Sequence, residues 1–322
     1  MLLAAICTAD LFTGDLGALM DLEFYTLDVF TDRRFAGNPL AVVHGADGLN
    51  TAAMQTITRE FNLSETVFVL KPDNPAHSAK IRIFTPASEL PFAGHPTVGT
   101  AVLLAEMRAG ELTGDADSLV VLEEKIGVVR VGVRLKQGQP AFAEFDAPKL
   151  PEELGPVSAT ELLAAAVGLE PREIGFSNHR PTQFSAGVPF TFLPVSSLAA
   201  VARAAVQSQR WAAAFGGAKA GSMSIYTQET MNSTSAFHAR VFSPAAGIFE
   251  DPATGSAAAA FAGAVHLFDR LRDGQHKRII EQGFEMGRPS HISLGMEVNG
   301  GKLSSVRIGG SAVRVSEGRI RI

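Results

Sequence analysis

The chain has 322 residues, 46% of them hydrophobic and 19% charged, and a formal net charge of −5. Such a length exceeds the usual single core, so two domains are expected, and the mildly negative balance offers no basic surface for nucleic acid. The single cysteine, Cys7, excludes an internal disulfide framework and a cysteine-based metal cluster, which fits a cytoplasmic protein.

Residues 1–19, "MLLAAICTADLFTGDLGAL", lack a basic start and are interrupted by Asp10 and Asp15, so they do not read as a secretory signal. They read as a disordered extension or a start-site artefact ahead of Met20. Strand patterning then begins with "LEFYTLDVF" (Leu22–Phe30) and continues through "PLAVVH", "ETVFVL", "AKIRIFT", "SLVVLEE" and "GVVRVGVRL", each bounded by Gly, Pro, Asn or Asp. Helices are expected from about Thr51 to Phe61 and from Pro96 to about Arg108. The stretch Asp146–Glu161 carries three prolines and a charge run and reads as a linker. It separates a first domain, 20–148, from a second, 149–322, whose last strands are expected to cross back. The second half repeats the theme, with strands near 221–227, 235–243, 277–283 and 291–295 and helices near 197–215 and 252–268. Strands dominate, so the fold class is α+β. No dinucleotide or P-loop fingerprint is present, and no run reaches the ~18–20 apolar residues of a membrane span.

One phrase occurs twice. "GHPTVGTA" (Gly94–Ala101) and "EDPATGSA" (Glu250–Ala257) share a Pro-x-x-Gly-[Thr/Ser]-Ala frame, preceded by "RIFTPA" (Arg82–Ala87) and "RVFSPA" (Arg240–Ala245) respectively. This is the signature of an internal duplication: two similar domains, each supplying one loop and one helix start to a shared place. Proline favours the first helical turn, so His95 and Asp251 are read as N-caps, with Gly99 and Gly255 one turn in and the hydroxyls of Thr100 and Ser256 nearby. Helix N-termini expose unpaired N–H groups and attract anions, so two facing tips would suit a small carboxylate. Aspartate before proline is also ordinary capping, whereas histidine caps poorly, which tilts His95 toward function. Glu65, in the strand "SETVFV", would be costly facing inward unless functional, and pattern alone would turn it toward solvent. Arg82, Arg240 and Arg288 read as solvated strand arginines, and most of the eight histidines, which lack metal-ligand spacing, as surface residues.

The phrases "DVFTDRRFAGNPLAVV", "REFNLSETVFVL", "IRIFTPASELPFAGHPTVGTA", "RVFSPAAGIFEDPATGSAA" and "EQGFEMGRPS" together resemble the PhzF-type phenazine-biosynthesis family of the diaminopimelate-epimerase-like fold group. The resemblance implies two pseudo-symmetric domains, each a curved, mostly antiparallel sheet wrapped around a central helix, with the active site in the cleft between them, and a homodimer. It implies Glu65 as catalytic acid/base, acting with His95, Asp251 and Ser256, and substrate binding at Gly94, Gly255, Thr100 and Ser64. The expected activity is a cofactor- and metal-independent isomerisation that shifts a proton and a double bond in a small carboxylic acid. Amino-acid epimerases of this fold group use paired cysteines, which these frames lack. The alternative reading is a non-catalytic acid-binding or regulatory protein that keeps the cleft; metal-dependent hydrolysis is a weaker third.

Overall fold

The computed structural model describes residues 21–216 and 221–322, so the expected 1–19 extension and Cys7 lie outside the described residues. In chain order the first half contains β1 (Asp21–Val29), β2 (Asn38–His44), α1 (Thr51–Phe61), β3 (Glu65–Leu70), β4 (Ala79–Phe84), β5 (Glu89–Leu90), α2 (Gly94–Ala109), β6 (Ala116–Glu124), β7 (Gly127–Leu135) and β8 (Ala141–Asp146). The second half contains β9 (Glu152–Glu153), α3 (Thr160–Ala166), β10 (Thr182–Ser185), β11 (Pro189–Pro194), α4 (Leu198–Arg203), α5 (Ser208–Phe215), β12 (Met223–Thr227), β13 (Phe237–Ser243), β14 (Ile248–Asp251), α6 (Gly255–Asp269), β15 (Gly274–Gln282), β16 (Ser290–Asn299) and β17 (Lys302–Arg321).

Strand pairing closes the first sheet on itself, running from β17 through β1, β2, β3, β4, β6, β7 and β8 back to β17. The second sheet runs from β9 through β10, β11, β12, β13, β15 and β16 to the start of β17. The long β17 therefore belongs to both: Lys302–Gly309 pairs with β16, and Ala312–Arg321 pairs with β1. Most pairings are antiparallel, and the architecture is the α+β arrangement of two sheets curved around one helix each.

Those helices are apolar on nearly every face, which is what a helix enclosed by a sheet requires. α2 buries Val98, Ala101, Val102, Leu103 and Ala105; α6 buries an alanine run together with Phe261, Val265 and Phe268. One continuous core joins the two halves, while α3, α4 and α5 cover a second cluster and α1 a third on the outer face of β3. The amphipathic α1 is capped by the Asn50 side chain, which accepts from Ala53 N–H, and ends at Asn62 with φ 51°. Left-handed backbone is tolerated best by glycine and asparagine, so the helix stops there.

The single helix expected at 197–215 is two. Ala205 N–H donates to the Val167 carbonyl and Gln207 N–H to that of Ala166, at 3.0 and 2.8 Å, so the intervening chain bonds to the end of α3 rather than to its own preceding turn.

Candidate active site

α2 and α6 point their N-termini at each other across the junction of the sheets. Gly94 and Gly255 are the first residues of their helices and touch there: a Cβ added to Gly94 would lie 3.1 Å from Gly255 Cα. Only glycine permits so close a backbone approach. Each helix therefore begins away from the position expected from the repeated phrase, α2 earlier and α6 later. The N-caps are Ala93 and Thr254, not His95 and Asp251. His95 sits inside the first turn of α2, and Asp251 ends β14. Gly99, the counterpart of Gly255 in the repeated frame, is a turn deeper, where its missing side chain lets α2 settle on Leu40 and Val29.

Glu65 opens β3, an interior strand paired with β2 on one side and β4 on the other. Both faces of β3 are covered, Phe68 lying under α1 with Phe84 while Val67 and Val69 face α2. The solvent-facing position that strand alternation alone would assign to Glu65 does not exist. Its carboxyl is buried, with Oε2 3.4 Å from His95 Nε2, and neither atom has a hydrogen-bond partner. The other ring nitrogen of His95 is held by the Pro39 carbonyl.

Asp251 completes the cluster from the second half. Its Oδ1 accepts from Asn38 Nδ2 at 2.8 Å and its Oδ2 from Thr254 Oγ1 at 2.6 Å. Burial, together with the negative charge of Asp251, pushes Glu65 well above the usual carboxylate range. Burial also raises Asp251 to about 6 against the hydrogen bonds from Thr254 and Asn38. It lowers His95 to about 3, so the imidazole is neutral at physiological pH. Two carboxyl groups raised by burial, one of them titrating close to neutrality, and a neutral imidazole therefore share one dry spot, a combination suited to proton transfer.

Ser256 lies in the first turn of α6 and, with Gly255, lines a cavity of about 250 Å³ between the halves, walled by Phe92, Phe145, Pro148 and Val188. A larger groove of about 840 Å³ runs along Asp32–Arg34 and Val313–Glu317 and touches none of these residues. Ser64 is half-buried just ahead of β3. Thr100 stands apart from the cluster: six residues along α2 from Gly94, it is about 9 Å down the axis at 1.5 Å per residue, fully buried. Among the described residues, no group of three or more His, Cys, Asp or Glu is placed to hold a metal ion.

The structure adds residues that the motifs did not single out. Asn38 is fully buried and ties the halves together, donating to Asp251 and to the Ala253 carbonyl at 2.9 Å. Gln282 donates to the Asp251 carbonyl at 2.6 Å and accepts from Thr254 N–H at 3.2 Å. A signal for Asn38 was present, since "FAGNP" (Phe35–Pro39) echoes "FAGHP" (Phe92–Pro96) and places an amide where the other has an imidazole.

The arginines and histidines also depart from expectation. Arg82 forks onto Glu89 at 2.8 and 2.9 Å, and Arg240 onto Glu250 at 2.8 Å through both nitrogens. Each guanidinium lies 5.1 Å from a phenylalanine ring two residues along its own strand, Phe84 and Phe242. The duplication thus carries a repeated clamp that fixes the approach to each helix tip. Arg288 reaches from the second half to the Gly37 and Ala36 carbonyls at 2.8 and 2.7 Å and pairs with Asp28. His179 and His238 are buried with His95. His179 bonds Tyr226 and Asp269, and His238 sits between Glu281 and Glu285 at 2.9 Å from each. Buried imidazoles persist where such partners replace water.

Two sheet-wrapped helices meeting tip to tip place the chain in the epimerase-like fold class. A hydroxyproline epimerase of Agrobacterium vitis superposes with a TM-score of 0.62 at 12% identity, covering 94% of this chain and 91% of that one, a likeness of fold alone. A phenazine biosynthesis protein of the PhzF family from Bacillus anthracis superposes with a TM-score of 0.85 at 26% identity, over 94% of this chain and all of that one (100%). In sequence, an uncharacterized isomerase of Mesorhizobium japonicum is 54% identical, covering 93% of this chain and 99% of its own. The trans-2,3-dihydro-3-hydroxyanthranilate isomerase of Pseudomonas aeruginosa is 34% identical over 92% and 98%. The family model described as phenazine biosynthesis-like protein matches residues 27–318. The chain belongs to this PhzF family, and it is an isomerase.

Proposed function

We propose that the chain moves a proton and a double bond within a small unsaturated carboxylic acid, with Glu65 as the acid/base at the meeting point of the two helix tips. The reading is carried by one observation: Glu65 Oε2 and His95 Nε2 are both buried, both unpartnered and 3.4 Å apart, beside Asp251. As carboxylate, Glu65 takes the proton of one substrate C–H bond. The C–H electron pair becomes the new double bond, the old π pair takes the proton back at its far carbon, and Glu65 ends as it began. His95 and Asp251 hold the neighbouring protons in place. The N–H groups of the first turns of α2 and α6, which have no partner within their helices, meet the substrate carboxylate, together with the Ser256 hydroxyl. The name of the Pseudomonas aeruginosa relative supports a dihydro-aromatic acid as the substrate class.

The test incubates the protein with trans-2,3-dihydro-3-hydroxyanthranilate and related dihydro-aromatic acids in deuterated water. Isomerised product is expected, with deuterium at the carbon that gains the proton in the fraction of turnovers in which the Glu65 proton exchanges before its return. Glu65→Gln should lower turnover on the order of 10²-fold or more, the scale of lost general acid–base help. Binding without any isomerised product would mean a carrier or regulatory protein, and an unimpaired Glu65→Gln would remove Glu65 from the mechanism. A cytoplasmic homodimer is part of the same proposal, supported by the family resemblance; light scattering of the purified chain tests the dimer.

A further inference from the structure

Glu124, the last residue of β6, points inward against the first turn of α2 and takes no part in the cluster described above. Its Oε1 is 2.8 Å from Thr97 Oγ1, and the same Oγ1 is 2.8 Å from the Ala93 carbonyl. Two O···O contacts this short need two protons, because two bare lone pairs at that distance repel. A threonine hydroxyl carries one proton, and a carbonyl carries none. The hydroxyl proton goes to Ala93, so the second must come from Glu124. The remaining oxygen, Oε2, is buried with no partner, a place that a carboxylate could not occupy without a large loss of hydration.

We propose that Glu124 is held as a neutral carboxylic acid and works as a positioning residue, its proton fixing Thr97 and, through Thr97, the Ala93–Thr97 turn that carries Gly94 and His95. The positioning role rests on the reading of His95 and the helix tips given above; the protonation state does not. Burial supports that state, raising Glu124 to about 8. No charged side chain contributes to that shift: Lys125, next in sequence, pairs with Glu89 at 3.6 Å, and His95, on the same turn as Thr97, is neutral.

The first measurement needs no substrate. Infrared difference spectra of wild type, Glu124→Gln and Glu65→Gln at neutral pH should show a protonated-carboxyl carbonyl band that only Glu124→Gln removes, and in wild type it should fade as the pH rises through about 8. A neutral-pH spectrum unchanged by Glu124→Gln overturns the proposal. The second measurement is the pH profile of turnover. Glu124→Gln, whose amide still donates to Thr97, should stay within about twofold of wild type near neutrality, and Glu124→Leu should lose about fivefold, the scale of one ordinary hydrogen bond. Only wild type should show the alkaline fall that follows loss of the Glu124 proton. An alkaline fall that survives in Glu124→Gln overturns the positioning role. If Glu65→Gln proves harmless while the infrared band behaves as expected, the catalytic reading fails and the neutral acid stands.

Discussion

Alanine at Gly94 or at Gly255 tests whether the two helix tips meet as closely as the structure places them. A Cβ on Gly94 would lie 3.1 Å from Gly255 Cα and 3.4 Å from Gly255 C, and one on Gly255 would lie 3.2 Å from Gly94 Cα and 3.4 Å from Phe30 Cζ. Non-bonded carbons prefer about 3.5–4.0 Å, so either methyl asks the tips to part by about 0.5 Å, and most of the atoms in the way are backbone. Overpacking of this kind costs about 1–3 kcal/mol, which lowers Tm by about 2–12 °C at the scale of a large domain. The double variant should lose less than the sum of the singles, because tips already parted admit the second methyl, and neighbouring sites couple by about 1 kcal/mol. Thermal unfolding followed by circular dichroism measures all three, with Gly114→Ala, where a Cβ meets nothing within 4 Å, as control. Neither tip glycine has positive φ, so tips that did not touch would let alanine stabilise the helices by up to about 1 kcal/mol. A rise in Tm at either position would therefore refute the contact.

Asn38→Ala leaves Asp251 Oδ1 and the Ala253 carbonyl without their buried donor; a loss of about 3 kcal/mol is expected in denaturant unfolding, with a further fall in turnover as Asp251 comes adrift. Arg288→Met strands Asp28, only 3% exposed, and removes two bonds to the Ala36–Gly37 backbone. It should cost about 3–5 kcal/mol, and Arg288→Lys should recover only part of this, since an ammonium cannot span the fork. His238 titrates in the opposite sense to the acids. Burial alone would lower it, yet the bonds to Glu281 and Glu285 outweigh this and raise it to about 9. Its stabilisation is complete below the ordinary value of 6.5 and is lost as pH rises through about 9, a decline of roughly 3 kcal/mol. Thermal unfolding against pH should show that slope in wild type, and His238→Gln should flatten it.

Local chemistry made much of the fold readable. The strands now β1, β2, β3, β4, β6 and β7 stood out as apolar runs between Gly, Pro, Asn and Asp, with ends correct to within two residues. β17 did not, because Gly309, Gly310 and Gly318 look locally like punctuation. In space they are where the strand passes between closely packed neighbours: a Cβ on Gly309 would fall 2.8 Å from the Ala143 carbonyl oxygen, and one on Gly310 would fall 2.4 Å from Phe30 Cδ1. β10 and β11 were hidden in the same way by Gly187 and the prolines around them.

The duplicated phrase was enough to announce two related halves and to mark His95, Asp251 and Ser256, because residue types and spacings survive in a linear string; Glu65 lies outside it, and only the family resemblance marked it. It could not say where each helix begins. The two copies share their residues but not their helical register, so the glycine facing Gly255 is Gly94 and not its counterpart Gly99. Nor could it set the protonation of the acids. Burial is a property of everything packed around a side chain, and the sheets that remove water from Glu65, Asp251 and Glu124 are assembled from segments scattered over the whole chain. Which carboxyls exist was written in the sequence; which of them keep a proton was decided only when the sheets closed around the helices.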